Sequence, residues 1–451
     1  MKRADMSRRN FIKKLGLGVA ALPAIRCGRL LAEKGAAAQS KAPRPNILII
    51  FTDDQGYADL ACYGNKKNKT PRMDKLASEG TRYTSFYAQH VCGPSRSALL
   101  TGRYPIRSKG WSMPASEITF AELIKKTGYQ TACIGKWDVS NRKPIIERMP
   151  NAQGFDYYFG TLGANDGGRV KFHENNDSAG DTRDMGSLIR TYTDKAIDYL
   201  KNKRDPKKPF VLYVAHTMMH TIIDASPKFR GKSAGDLYGD VVEEFDYETG
   251  RLLDTLDELK LAKDTLVIYT TDNGPWNQRA YTDRKKGHPK GSIFWGESGP
   301  LRNGKGSSYE GGLRAPCITR WPGKVPAGKT SDAIFATIDF MPTFATLAGY
   351  KVPTDRVMDG VDQTDLLLGK SKKGARDSFF YQTAMRKGKW KYLKAKHCMY
   401  GYARDKKRKQ VEELYDLEAD LGETTNLAAK HPEKVAELKK LMEVVQKGAY
   451  R

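Results

Sequence analysis

The stretch Asn46-Ile47-Leu48-Ile49-Ile50-Phe51-Thr52-Asp53-Asp54-Gln55-Gly56 decides the fold. Apolar residues run unbroken from Ile47 to Phe51, the pattern of a strand buried on both faces of a parallel sheet. The run stops abruptly at a polar turn carrying two carboxylates. Far downstream, Thr265-Leu266-Val267-Ile268-Tyr269 repeats the pattern and ends in Thr270-Thr271-Asp272-Asn273-Gly274. Two buried strands therefore deliver oxygen-bearing pairs at their C-terminal ends, where the ligand sites of open α/β sheets lie.

Helix and strand patterns alternate around these runs. Thr70-Pro71 opens a helix to Glu79, Phe120 to Lys126 is another, and Tyr129 to Gly135 is a strand leading to Lys136-Trp137-Asp138. Leu188 to Lys201 and Val241 to Leu259 are amphipathic helices flanking the strand Phe210 to Ala215, and Phe340 to Ala348 is a further helix. The expected class is α/β, a large doubly wound and mostly parallel sheet flanked by helices, occupying 46–373. Val352 to Lys373 reads as connecting chain. Phe379 to Tyr381, Trp390 to Leu393 and Glu413 to Asp416 read as short strands and Pro432 to Gln446 as a closing helix, so 374–451 is expected to form a smaller α+β subdomain with a short antiparallel sheet.

Asp53, Asp54, Asp272 and Asn273 make a hard-oxygen set suited to Ca²⁺ or Mg²⁺ and ill suited to zinc, which favours His and Cys. Either pair alone reads equally well as turn chemistry. The two together favour a cation.

The stretch Val91-Cys92-Gly93-Pro94-Ser95-Arg96-Ser97-Ala98-Leu99-Leu100-Thr101-Gly102-Arg103 adds a cysteine at a helix start. Pro94 suits a first helical turn, and Ser95 to Leu100 continues it. Free N–H groups and the positive end of the dipole then face Cys92, with Arg96 nearby, an arrangement expected to hold an anion and lower a thiol pKa. A lone cysteine there would read as a buried thiol. The two arginines count against that. A cysteine-dependent phosphatase loop is disfavoured because only Gly93, Pro94 and Ser95 separate Cys92 from Arg96.

This stretch resembles the signature of the type I sulfatases, the formylglycine-dependent branch of the alkaline-phosphatase superfamily: C-x-P-S-R followed by L-T-G-R. The resemblance implies that Cys92 is oxidised by a maturation enzyme to formylglycine, whose hydrate is the nucleophile. Family D-D-x-G and D-N-G motifs map onto Asp53, Asp54, Asp272 and Asn273 as metal ligands, with Cys92 as the fifth. A soft thiolate is an odd partner for a hard cation, and conversion to an oxygen nucleophile removes the mismatch. Lys136 occupies the lysine of G-K-W-H, His220 the histidine after the apolar strand, and Lys305 the second lysine. The implied roles are sulfate binding by Lys136 and Lys305, orientation of the nucleophile by Arg96, and protonation of the leaving oxygen by His220. The sequence departs from the pattern at Asp138, where the family has histidine, and at Met218-Met219-His220-Thr221-Ile222, which replaces A-P-H-x-P. Asp138 is expected to act as a base or to bind a sugar hydroxyl, and His216 is either its substitute or filler. The C-terminal cue appears at Leu414-Tyr415-Asp416-Leu417, Glu423 and Asn426-Leu427-Ala428.

Composition sets the outer bounds. The chain of 451 residues carries a net charge of +25 and 39% hydrophobic residues, and no apolar run is long enough to span a bilayer. Residues 1–34 hold nine basic and two acidic side chains, which leaves +18 on the rest. Such an excess favours anionic partners, and with no nucleic-acid motif or aromatic-basic pattern, sulfated carbohydrate is preferred to nucleic acid. Ser7-Arg8-Arg9-Asn10-Phe11-Ile12-Lys13-Lys14 before a weakly apolar run resembles a twin-arginine signal, so residues 1–34 read as a leader for export from a bacterium and 35–45 as a linker. The six cysteines lack C-x-x-C spacing, and Cys62, Cys133, Cys317 and Cys398 are open to either thiol or disulfide. The polar insertion Trp276 to Pro300 is expected to form a sugar-selecting rim, and Asp405-Lys406-Lys407-Arg408-Lys409 an exposed hairpin tip.

The expectation is a sulfate ester hydrolase acting on sulfated carbohydrate or aryl sulfate. Two rivals are a phosphate mono- or diesterase of the same superfamily and an impaired sulfoglycan-binding protein.

Overall fold

In the computed structural model the described residues are 44–276, 288, 291–398 and 409–448. The expected leader 1–34, most of the linker and the basic tip 405–408 lie outside them. The first apolar run forms strand β1 (Asn46–Thr52) and is buried throughout. The other strands of the large sheet are β2 (Thr81–Tyr87), β3 (Gln130–Lys136), β4 (Tyr157–Thr161), β5 (Val170–Glu174), β6 (Asp177–Thr182), β7 (Phe210–Ala215), β8 (Thr265–Thr271), β9 (Arg314–Arg320), β10 (Lys329–Ser331) and β11 (Phe335–Ala336). Their spatial order is β10-β2-β9-β8-β1-β7-β3-β4-β5-β6, with β11 also on β2.

The centre, β8-β1-β7-β3-β4, is parallel throughout. Antiparallel strands extend it on both sides, β9 beside β8 and β5 beside β4. The expected mostly parallel sheet is therefore present, and its mixed margins were not legible. Residues such as Thr81–Tyr87 and Arg314–Arg320 carry polar side chains that find buried partners only in the folded protein: Tyr87 and Arg314, for example, both reach the Glu310 carboxylate.

Alternation along the central strands builds two cores. Leu48 and Ile50 face one side with Leu212, Val214, Val267 and Tyr269, under the helices Pro71–Ser78, Leu188–Asp198 and Asp236–Glu258. Ile47, Ile49 and Phe51 face the other with Val211, Tyr213, Leu266 and Ile268, under Cys92–Thr101, Phe120–Lys125 and Phe340–Leu347. Burial on both faces is why the strands read as unbroken apolar runs. Two helix boundaries differ from expectation: one helix starts at Asp236 rather than Val241, and the Leu188 helix gives way to a wider turn at Tyr199–Lys203.

A second sheet of β12 (Ser378–Tyr381), β13 (Ala384–Lys387), β14 (Trp390–Leu393) and β15 (Glu413–Asp416) is antiparallel throughout and packs on the helix Pro432–Gln446. The segment before it, expected as plain connecting chain, contains a helical turn at Thr364–Leu367. Polar groups tie this sheet to the large one. Buried Lys391 of β14 donates to Glu310 at 2.8 Å and pairs with Glu423 at 2.8 Å, while Arg314 of β9 holds the other Glu310 oxygen at 2.6 Å. Among the described residues no helix is long and apolar enough to cross a membrane.

Candidate active site

Strands β1 and β8 run side by side with Phe51 opposite Thr270 and Thr52 opposite Thr271. Their exits therefore place Asp53-Asp54 against Asp272-Asn273. Asp54 turns the chain in the left-handed region, φ 57°. Its N–H donates to Asp272 Oδ1 at 3.2 Å, and Asn273 Nδ2 donates to Asp54 Oδ1 at 2.7 Å. All four residues are buried.

The helix Cys92–Thr101 delivers the next two groups. Cys92 is its first residue, Pro94 lies in its first turn, and Gly102 closes it with φ 66° and an N–H bonded to the Ala98 carbonyl at 2.9 Å. Every residue of this helix is buried. Ser95 anchors it to the sheet: its hydroxyl accepts from the Gln89 N–H at 2.9 Å and donates to the Asp272 carbonyl. Arg96 then reaches under the site and donates to Asp53 Oδ2 at 2.9 Å, Asp272 Oδ2 at 3.0 Å and the Lys136 carbonyl at 3.0 Å. Its hydrogen bonds go to carboxylates and carbonyls, so it serves as the counter-charge of Asp53 and Asp272.

Lys136, the last residue of β3, donates to Asp53 Oδ2 at 2.5 Å. Just before it, Gly135 sits at φ 110°, where a Cβ would lie 1.9 Å from the Ala215 carbonyl oxygen, so only glycine lets β3 close on β7 here. Lys305 donates to Asp54 Oδ1 and lies 3.4 Å from Cys92 Sγ, which is itself 3.5 Å from Asp53 Oδ1. His220 Nε2 lies 3.7 Å from Asp54 Oδ2, and its Nδ1 faces the Thr221 carbonyl at 2.6 Å. Trp276 walls the same corner, its ring 4.7 Å from Lys305 Nζ and edge-on to His220. The sequence-predicted residues Asp53, Asp54, Cys92, Arg96, Lys136, His220, Asp272, Asn273 and Lys305 thus converge on one buried locus.

Electrostatics follow from burial. Burial alone would raise Asp53, but Lys136, Arg96, His220 and Lys305 hold it well below the usual carboxylate range. Asp272 is pushed up to about 7 by burial and by Asp53 beside it. The Cys92 thiol is pushed well up by burial and by Asp53, against Lys136 and Lys305. This corrects the expectation of a lowered thiol pKa: with Arg96 turned to the carboxylates, desolvation outweighs the helix terminus. His220 is lowered to about 4 by burial and then by Lys305. His216 packs edge-on against Tyr192 and Phe245 and is lowered to about 3 by burial, which makes it core filler.

The donor set fits a hard divalent cation. Ligand atoms of Asp53, Asp54, Cys92 and Asp272 lie within 4.8 Å of one another. Asp54 Oδ2 and Asn273 Oδ1 are buried and lack a hydrogen-bond partner, a condition proteins avoid unless another ligand is expected.

Asp138 is buried completely, and both oxygens are engaged. Arg142 Nε donates to Oδ1 at 2.8 Å, Trp111 Nε1 donates to Oδ2 at 3.1 Å, and Lys136 Nζ stands 3.6 Å away. Each oxygen thus already accepts from a donor within the protein, and the side chain is fully buried. Trp111 packs against Gly93, where a Cβ would fall 2.3 Å from the indole. Beside them a cavity of ≈ 350 Å³ opens between Val91 and Pro94 on one side and Phe380 and Tyr381 on the other, with Gln89, Lys109 and Gln382 on its walls. Sequence reasoning missed the roles of Ser95, Trp111 and this cavity, because each depends on segments apart in the chain, and that of Arg142, whose Asp138 is only four residues away but is met through an irregular turn. Of the expected rim, residues 277–287, 289 and 290 lie outside the described residues; His288 accepts from the Ile223 N–H at 3.0 Å. Cys62, Cys92, Cys133 and Cys317 are free thiols.

The profile of the Sulfatase family matches residues 45–350, and that of the N-sulphoglucosamine sulphohydrolase C-terminal family matches residues 303–448. Steryl-sulfatase of Homo sapiens is 32% identical over 75% of this chain and 72% of its own length. N-acetylgalactosamine-6-sulfatase of Canis lupus familiaris is 32% identical over 81% of this chain and 73% of its own. A solved structure from work on the metabolism of multiple glycosaminoglycans by Bacteroides thetaiotaomicron superposes with a TM-score of 0.78 at 29% identity, covering 90% of this chain and all of that one.

Removing Arg96 tests the charge balance directly. Arg96→Met leaves Asp272 without its ion pair in a dry setting, and is expected to cost about 3–5 kcal/mol. Chemical denaturation in chelator measures it; an unchanged midpoint would contradict the counter-charge role.

Proposed function

The chain belongs to the sulfatase family and is a sulfatase, and on that premise we propose that it hydrolyses sulfate esters of carbohydrates with a formylglycine nucleophile made from Cys92 beside a Ca²⁺ ion. The observation that carries this reading is the thiol itself. A buried, protonated sulfur set among hard oxygens is a poor nucleophile and a poor ligand. Its aldehyde hydrate supplies hydroxyl oxygens that serve both purposes.

Asp53, Asp54, Asp272 and Asn273 would hold the cation, with Mg²⁺ as the alternative that metal analysis distinguishes. When bound, it supplies Lewis-acid polarisation of the sulfate oxygens. Lys305, 3.4 Å from Sγ, and Lys136, reaching Asp53 next to Sγ, bring fixed ammonium groups to the place where charge gathers in the transition state. Arg96 stays beneath the site and, with Lys136, holds Asp53 in its charged form. His220 is neutral at neutral pH in the protein alone; an anionic sulfate beside it favours the imidazolium, which then protonates the leaving oxygen from Nε2.

Identity does not choose the alcohol, since steroid and carbohydrate sulfatases match equally well. The excess positive charge of the chain favours a sulfated sugar, which can carry several anionic groups, over a sterol. We further propose export through the twin-arginine-type leader; Arg8→Lys with Arg9→Lys should abolish it, and periplasmic yield at the native level would exclude that route.

Two experiments test the chemistry. Protein made with a maturation enzyme should carry an aldehyde at residue 92 by peptide mass spectrometry and should cleave sulfate esters in strong preference to phosphate esters. Full activity with an intact thiol, or a preference for phosphate, would overturn the proposal. Asp272→Ala should lose metal and activity together, whereas Lys305→Ala should keep its metal and lose about 10²–10³-fold in kcat. Equal metal content in Asp272→Ala and the native protein would remove Asp272 from the ligand set.

A further inference from the structure

The replacement of the family histidine by Asp138 has a structural counterpart one turn further along the chain. Asp138 accepts from Arg142 Nε at 2.8 Å, and the arginine side chain, unlike the aspartate, is 38% exposed. Asp138, Asn141 and Arg142 all adopt left-handed backbone, φ 56–57°, a conformation that non-glycine residues take only under constraint. The guanidinium is thus gripped from its Nε side with its outer nitrogens toward solvent.

Its neighbour there is Asp166, whose side chain is 34% exposed. The contacts between them are stretched, 3.4 and 3.5 Å from Arg142 Nη1 to the two carboxylate oxygens. Exposed and long, this pair opens at little cost, whereas the Asp138 grip does not. Strand ends bring the two halves together, because Lys136 of β3 pairs with Thr161 of β4 and the chain runs on from these to Asp138 and Asp166. The Arg142 stem rests over Gly163. Asn165 fastens the Asp166 loop to the His220 segment by donating to the His220 and Ile222 carbonyls at 2.7 Å each. Burial would raise Asp166, but His220 and Arg142 more than offset it and hold this carboxyl below its usual range.

We propose that Arg142 and Asp166 are the sugar-reading pair of this site: hydroxyls flanking the sulfated carbon accept from the outer nitrogens of Arg142 and donate to Asp166, and Asp138 is the positioning residue that aims Arg142. The assignment rests on the sulfated-carbohydrate reading above. A guanidinium offers donors only and a carboxylate acceptors only, so together they match a hydroxyl, which is both. A second anionic group on the substrate would meet Asp166 as a like charge. A neutral polyol is the better match.

The test compares the best-cleaved member of a set of monosulfated hexoses with para-nitrophenyl sulfate, which has no sugar hydroxyls. Arg142→Ala and Asp166→Asn should each raise KM for the sugar about tenfold or more with a much smaller change in kcat, and so shift the sugar-to-aryl preference by at least about tenfold. Asp138→Asn should shift the preference in the same direction, and combined with Arg142→Ala should add little, as expected of a residue acting through another. Equal losses on both substrates, an unaltered sugar KM, or a native-like Asp166→Asn would overturn the pair. Arg142 and Asp166 are partly exposed, so their variants decide the matter even if Asp138→Asn fails to fold. Native protein active on the aryl sulfate but on none of the hexoses would sink the carbohydrate reading itself; sugar activity indifferent to these variants would sink only the pair.

Discussion

Three carboxylates buried at the ends of two adjacent strands are the constraint on which the rest of this structure depends. Asp53, Asp54 and Asp272 are at most 1% exposed, and in so dry a place ionised groups persist only with opposite charge and hydrogen bonds around them. Arg96, Lys136 and Lys305 supply that charge from three separate parts of the chain. The helix Cys92–Thr101 is buried on all sides because it must carry Arg96 beneath the site, and β3 must approach β7 as closely as Gly135 permits for Lys136 to arrive. Asp54 and Asn273 each keep one buried oxygen without a hydrogen-bond partner at this place.

The sheet makes this arrangement rigid. Parallel strands buried on both faces cannot slip register without turning one core into the other, so the exits of β1 and β8 are fixed relative to each other. Reactive geometry is thereby set by the most buried part of the molecule. The second sheet closes the opposite wall of the cavity through Phe380 and Tyr381, and the Glu310, Lys391 and Glu423 cluster joins it to the large sheet.

Asp138 illustrates how a departure from a family pattern can be compensated locally. A carboxylate this close to the sulfate locus would repel the substrate if it were exposed and unpaired. Here Arg142, Trp111 and Lys136 surround it, so its charge is compensated within the protein. Activity in this family member is therefore compatible with the loss of the histidine.

By itself the sequence determined the class of fold and the core of the site. The unbroken runs at Ile47–Phe51 and Leu266–Tyr269 carry the pattern of strands buried on both faces, and the acidic pairs that end them, together with the Cys92 to Arg103 signature, singled out residues that the fold gathers at one buried locus. These signals are local: a strand, its end and a helix start each span a few consecutive residues. Tertiary structure decided what depends on distance and desolvation. It turned Arg96 from the thiol to the carboxylates, raised the Cys92 pKa where the helix terminus alone would lower it, enclosed Asp138 and packed His216 as filler. It also joined Arg142 to Asp166 and Trp111 to Gly93 across loops with no shared pattern. Charge and burial at a buried site are sums over every neighbour, and neighbours 40 to 251 positions away in the chain leave no mark on the residues they surround.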